Sequence, residues 1–172
     1  MITAVRPQAI SGVSAGQETM IESVFPSIAA SGLGQLIGRI CDSIPLKING
    51  IKLSYLLFAP LLAPLGAIGY LKFKVFDPQY VLTNRSLQVQ SAQGDRLISQ
   101  VSLSDIDNIA IDVLPGQEFF KAGNLELLNG RGDVILTLPG VPRPERFRQV
   151  VLEARDARSQ NDAALKTIMA RG

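Results

Sequence analysis

The sequence predicts an α+β protein in two parts. An N-terminal membrane-associated helical hairpin comes first, followed by an antiparallel β-barrel or sandwich capped by a C-terminal helix. Three features predict it. The run Leu53 to Leu71 (LSYLLFAPLLAPLGAIGYL) contains no Asp, Glu, Lys or Arg. From about residue 73 apolar and polar residues alternate between turn signals. After Pro144 the apolar spacing becomes helical. The implied divisions are a flexible lead-in over 1–19, membrane-associated helices over 20–72, the β domain with its capping helix over 73–158, and a tail over 159–172.

Composition narrows the function classes. The 172 residues carry a net charge of +2, which suits one domain with an attachment and argues against a general nucleic-acid binder. No His is present, which removes the commonest general base and metal ligand. The lone Cys41 excludes an internal disulfide and a Cys-based zinc cage, and reads as a buried thiol. Without His no Ser-His-Asp triad exists. No catalytic residue, metal or cofactor is predicted.

Met1 to Thr19 is rich in small and polar residues and lacks a signal-peptide pattern. Met20 to Asp42 reads as one helix with a wide apolar face. Ser23, Ser27, Ser31, Gln35 and Arg39 recur every four residues as a polar stripe. Ala30, Gly34 and Gly38 form a small-residue ridge that lets a second helix approach closely. This helix is expected in the membrane interface or one leaflet, with Phe25, Ile28, Leu36 and Ile40 in contact with lipid. The alternative is an amphipathic helix covering the folded domain.

Leu53 to Leu71 is about 28 Å long as a helix, close to the hydrocarbon thickness of a bilayer. Leu56, Leu57, Phe58, Leu61, Leu62, Leu65 and Ile68 are its expected lipid contacts. Tyr55 and Tyr70 sit just inside its ends and Lys52, Lys72 and Lys74 just outside, as interface anchors. Pro60 and Pro64 remove backbone donors, so a re-entrant hairpin is the alternative to a full span. The short link Ser43 to Lys52, with Pro45 and Asn49-Gly50, makes the two helices antiparallel neighbours.

Phe73, Val75 and then Tyr80 to Thr83 read as strand, and further strands are expected at Ser86 to Ser91, Leu97 to Leu103, Ile106 to Val113, Asn124 to Leu128 and Asp133 to Leu138. Gln93-Gly94-Asp95 and Asn129-Gly130-Arg131-Gly132 are hairpin turns. Pro144 and Glu145 open a helix whose apolar face is Phe147, Val150, Val151 and Ala154. The loop Leu114 to Gly123 holds Phe119, Phe120 and Lys121, a candidate partner or membrane loop, since paired aromatics are costly to expose. The alternative is that a ring tucks into the core beneath the loop.

Tyr80-Val81-Leu82-Thr83-Asn84-Arg85-Ser86-Leu87 resembles the Y-x-L-T-[ND]-x-R-[LI] opening of bacterial pleckstrin-homology-like domains. Here Arg85 falls one residue early and Ser86 takes the usual Arg position. Ser102 to Ile111, Gly123 and LPGVPRPERF follow in matching order, so the resemblance covers about residues 73–156. It implies a barrel of that type on the cytoplasmic face of a bacterial inner membrane. It does not imply phosphoinositide binding, because only Arg85 and Arg96 lie between the first strands. The function expected is a non-enzymatic, membrane-anchored docking or scaffold module for a protein or a lipid. The alternative is a structural subunit of a membrane complex that oligomerises through Ala30, Gly34 and Gly38. The expected partners are the lipid bilayer and a protein, including a second copy, with no nucleic acid.

Overall fold

The computed structural model describes residues 18–44, 47–48, 51–76, 78–93 and 96–169. Most of the expected lead-in, the Pro45 and Asn49-Gly50 positions of the link, and Gly94-Asp95 of the first hairpin turn lie outside them. The elements in chain order are strand β1 (Met20–Val24), helix α1 (Gly32–Asp42), two short strands β2 (Lys47–Ile48) and β3 (Ile51–Lys52), and helix α2 (Leu53–Phe76). Strands β4 (Gln79–Thr83), β5 (Ser86–Gln90), β6 (Leu97–Ser102), β7 (Asn108–Asp112), β8 (Ala122–Leu128) and β9 (Val134–Pro142) follow. Helix α3 (Pro144–Met169) closes the chain.

Two antiparallel sheets form the body. One has the order β1-β4-β5-β6 and the other β7-β8-β9. Their facing residues make one core, with Leu82 and Leu87 from the first sheet and Ile109, Leu125, Leu127 and Leu138 from the second. Phe147 and Val151 of α3 enter the same core. The apolar face read after Pro144 therefore packs on the sheets, and the helix continues through residues expected in the tail. The buried Tyr80 donates its hydroxyl to the Pro139 carbonyl at 2.9 Å, tying the two sheets together. In the β8–β9 turn the Asn129 side-chain oxygen accepts the Arg131 and Asp133 amides, and Gly132 takes φ +86°.

The fold class expected for the N-terminal part is corrected in two ways. Met20 to Asp42 is not one helix. Pro26 has no N–H and biases Phe25 toward extended backbone, so the segment divides there. Met20–Val24 instead pairs antiparallel with β4, from Met20 opposite Thr83 to Val24 opposite Tyr80. Two of the serines read as a polar stripe are helix caps. Ser27 Oγ accepts the Ala29 amide at the start of a 3-10 turn, Ile28–Ala30, and Ser31 Oγ accepts the Gly34 amide at the start of α1.

The second correction concerns the bilayer. Among the described residues no helix is long and apolar enough to cross a membrane. A membrane hairpin is therefore not part of the fold, and the membrane and transmembrane character and the inner-membrane location expected from it fall as well. Instead α2 folds back on α1, and it continues through Phe73 and Val75, which the sequence reads as strand. Its buried Ser54 hydroxyl donates to the Cys41 carbonyl, satisfying a carbonyl at the end of α1. Gly66 and Gly69 lie over the Ile28 side chain, at 3.9 and 3.7 Å from the positions a Cβ would take. Because β1 belongs to the first sheet, α1 and α2 are an insertion between two paired strands.

Candidate functional site

The helical layer is anchored to the sheets by unusually close backbone contacts. A Cβ on Gly34 would stand 2.0 Å from the Ile28 carbonyl oxygen. One on Gly38 would stand 1.9 Å from the carbonyl oxygen of Gly116, which takes φ +93°. Ala30 packs against Gly140, where an added Cβ would come within 2.6 Å of the Ala30 Cβ. The small residues read as a helix-packing ridge therefore all meet their own chain. Gln117 completes the anchor. Its wholly buried side chain donates to the Ala29 carbonyl at 3.2 Å and to Asn124 Oδ1 at 2.9 Å, and accepts the Leu114 amide at 2.9 Å.

Phe119 and Phe120 lie between this anchor and the helices. They are half-buried and meet edge-to-face, with centroids 4.8 Å apart. Both border an apolar cavity of about 180 Å³, with Ile37, Cys41 and Leu62 on the other wall. Lys121 is exposed beside them, in the left-handed region at φ 49°. Burial raises the pKa of the Cys41 thiol, and the nearby Asp42 carboxylate raises it further. Such a thiol is a weak nucleophile.

The expected lipid contacts separate into two sets. Ile28 is buried in the joint between helices and sheets, and Ile40, Phe58 and Leu62 are partly buried. Phe25 and Leu36 are exposed, as are Leu56, Leu57, Leu61, Leu65 and Ile68. Of the expected anchors, Tyr70 and Lys72 are exposed, while the side chains of Lys52, Tyr55 and Lys74 lie outside the described residues. The outward face has an order that the uncharged run conceals. Leu57, Leu61, Pro64, Ile68, Leu71 and Val75 recur at alternating steps of four and three. The five large apolar residues among them are 51% to 72% exposed. They form a continuous stripe on the side of α2 away from α1.

Two polar features lie elsewhere. Glu18 accepts hydrogen bonds from Ser86, Thr83 and Gln88 at the β4–β5 turn, and these hold its carboxyl below the usual carboxylate range, helped by the charge of Arg85. This carboxylate fixes the start of β1, a role hidden in a segment that reads as lead-in. A polar groove of about 630 Å³ runs between Ser104–Asp107 and the second half of α3. Its guanidinium groups are held within the chain. Arg155 pairs with Asp156 at 2.7 Å, and Arg158 approaches Asp162 at 3.6 Å and donates to the Arg85 carbonyl at 3.3 Å. Among the described residues no group of three or more Cys, Asp or Glu side chains is placed to hold a metal ion. Comparison with protein-family models, with curated proteins and with solved structures gives no match.

Proposed function

We propose that this chain is a non-enzymatic docking module. The two-sheet body, which the sequence resemblance reads as pleckstrin-homology-like, is the scaffold, and the outward face of α2 is the docking surface for a protein helix. The observation that carries this reading is the stripe Leu57, Leu61, Ile68, Leu71 and Val75, every member more than half exposed. Monomeric proteins rarely expose a contiguous apolar patch beyond a few hundred Å², and larger ones mark interaction sites. The anchors described above hold α1 on the sheets, since backbone meets backbone at Gly38 and Gly116, and α2 packs over Ile28 beside it. With no charged residue from Leu53 to Leu71, recognition is by shape and apolar burial.

A photo-reactive residue at Leu61, installed in the full chain within cells, tests this. Val134 is the control, being half exposed at the start of β9. The expected result is a discrete protein adduct from position 61 and none from 134. Equal trapping at both sites, or no protein adduct from 61, refutes the reading.

A further inference from the structure

We propose that the outward stripe of α2 pairs in parallel with the same stripe of a second copy, as a two-stranded coiled coil. This rests on the docking reading above and names the occupant. The steps of four and three from Leu57 to Val75 are those of a heptad repeat seam. Leu61, Ile68 and Val75 take the a positions, and Leu57, Pro64 and Leu71 take d. A parallel dimer favours β-branched residues at a and Leu at d. Ile68 and Val75 meet the first preference, and Leu57 and Leu71 the second. The inward stripe, with Gly66 and Gly69 over Ile28 and Leu62 on the cavity bordered by Ile37 and Cys41 of α1, lies about 140° round the helix. Among the described residues, the seam positions Leu57, Leu61, Ile68, Leu71 and Val75 are already exposed to a partner helix.

Charge and area agree with this occupant. Lys72 falls at an e position, and a parallel pair sets it against Ala67 at g of the other copy, so no like charges meet across the seam. Pro64, at a central d position, offers its ring to the seam but lacks the N–H that would bond to the Pro60 carbonyl within α2. The six seam residues and the six flanking e and g residues, at roughly 60–80 Å² each, would bury about 700–950 Å² per copy. That reaches the size of a stable interface.

The test is the molar mass of the full chain by light scattering at micromolar concentration. The expected result is twice the chain mass, falling to the chain mass in Ile68→Lys. That substitution sets an unpaired charge from each copy into the seam and should weaken pairing by at least about 100-fold. A second measurement leaves the seam apolar. Val75→Cys should form an intermolecular disulfide under mild oxidation, faster than Ile98→Cys, which is equally exposed on β6. The native Cys41 is buried and does not compete.

A monomeric wild type overturns the pairing. So does a dimer that survives Ile68→Lys, or a Val75→Cys disulfide that forms no faster than the control. A monomer that pellets with phosphatidylglycerol vesicles also overturns it. If light scattering gives a monomer while position 61 still traps a different protein, self-pairing fails and the docking reading stands. If position 61 traps nothing, both fail.

Discussion

Gly38→Ala probes the joint that holds the helical layer on the sheets. Replacing a glycine inside a helix by alanine normally stabilises it by about 1 kcal/mol. Here the added methyl would stand 1.9 Å from the Gly116 carbonyl oxygen, where contacts under 3.0 Å are essentially never seen. Helix α1 or the Gly116 loop must therefore move by at least the difference, 1.1 Å. The loop cannot yield freely, because Gln117 beside it is buried and bonded to Ala29 and Asn124. Overpacking of this kind costs about 1–3 kcal/mol, which outweighs the gain in helix propensity. The net expectation is a loss of up to about 2 kcal/mol in urea unfolding. Gly32→Ala is the matched control, because a Cβ there meets nothing within 4 Å at the first residue of the same helix, and it should be neutral or slightly stabilising. A displaced α1 should also speed the reaction of Cys41 with a thiol reagent. If Gly38→Ala is as stable as Gly32→Ala, with Cys41 equally slow, the close contact between α1 and the loop is wrong.

Three further outcomes follow from other parts of the molecule. Gln117→Leu removes the acceptor of the Leu114 amide inside the joint, and should cost about 2 kcal/mol in urea unfolding, while Gln117→Glu keeps that acceptor but sets a buried carboxylate against the Ala29 and Asn124 oxygens and should cost at least as much. Phe147→Ala empties the place where α3 meets both sheets and should cost about 3–5 kcal/mol, measured the same way. Glu18 has a folded pKa held below its ordinary value of 4.5, so its contribution is present above that value and is lost as pH falls through the folded one. Wild type should therefore exceed Glu18→Gln in melting temperature at pH 6, by a small margin because the group is exposed. The two curves should converge toward pH 3, and a constant gap across that range would remove the carboxylate from the account of β1.

The β domain was legible because its signals are local. The alternation of Ser86 to Ser91, the Asn129-Gly130 turn and the Pro144-Glu145 helix start each act within a few residues. The N-terminal part was less legible because its decisive contacts are long-range. Gly38 meets Gly116, Gln117 meets Ala29, and Glu18 meets Ser86, all across loops that no periodicity announces. One local signal does mark the break. Pro26 stands inside the run read as a helix, and its bias on Phe25 was enough to divide strand β1 from α1. The α2 run shows a different limit. Apolarity alone says that a surface must be covered, not what covers it. In Leu53 to Leu71 the four-three spacing is masked by leucines on every side, and it emerges only once Leu62 and Gly66 are seen on the cavity they share with Ile28, Ile37 and Cys41.

Whether the outward face of α2 is covered in the cell is open to direct measurement by carbene footprinting of the full-length protein at its native level. In the isolated chain Leu57, Leu61 and Ile68 are as exposed as Leu97 and Ile98 of β6. The expected pattern is strong labelling of Leu97 and Ile98 with marked protection of Leu57, Leu61 and Ile68. Equal labelling of the two groups would leave α2 bare in its working state and contradict its role as a docking surface.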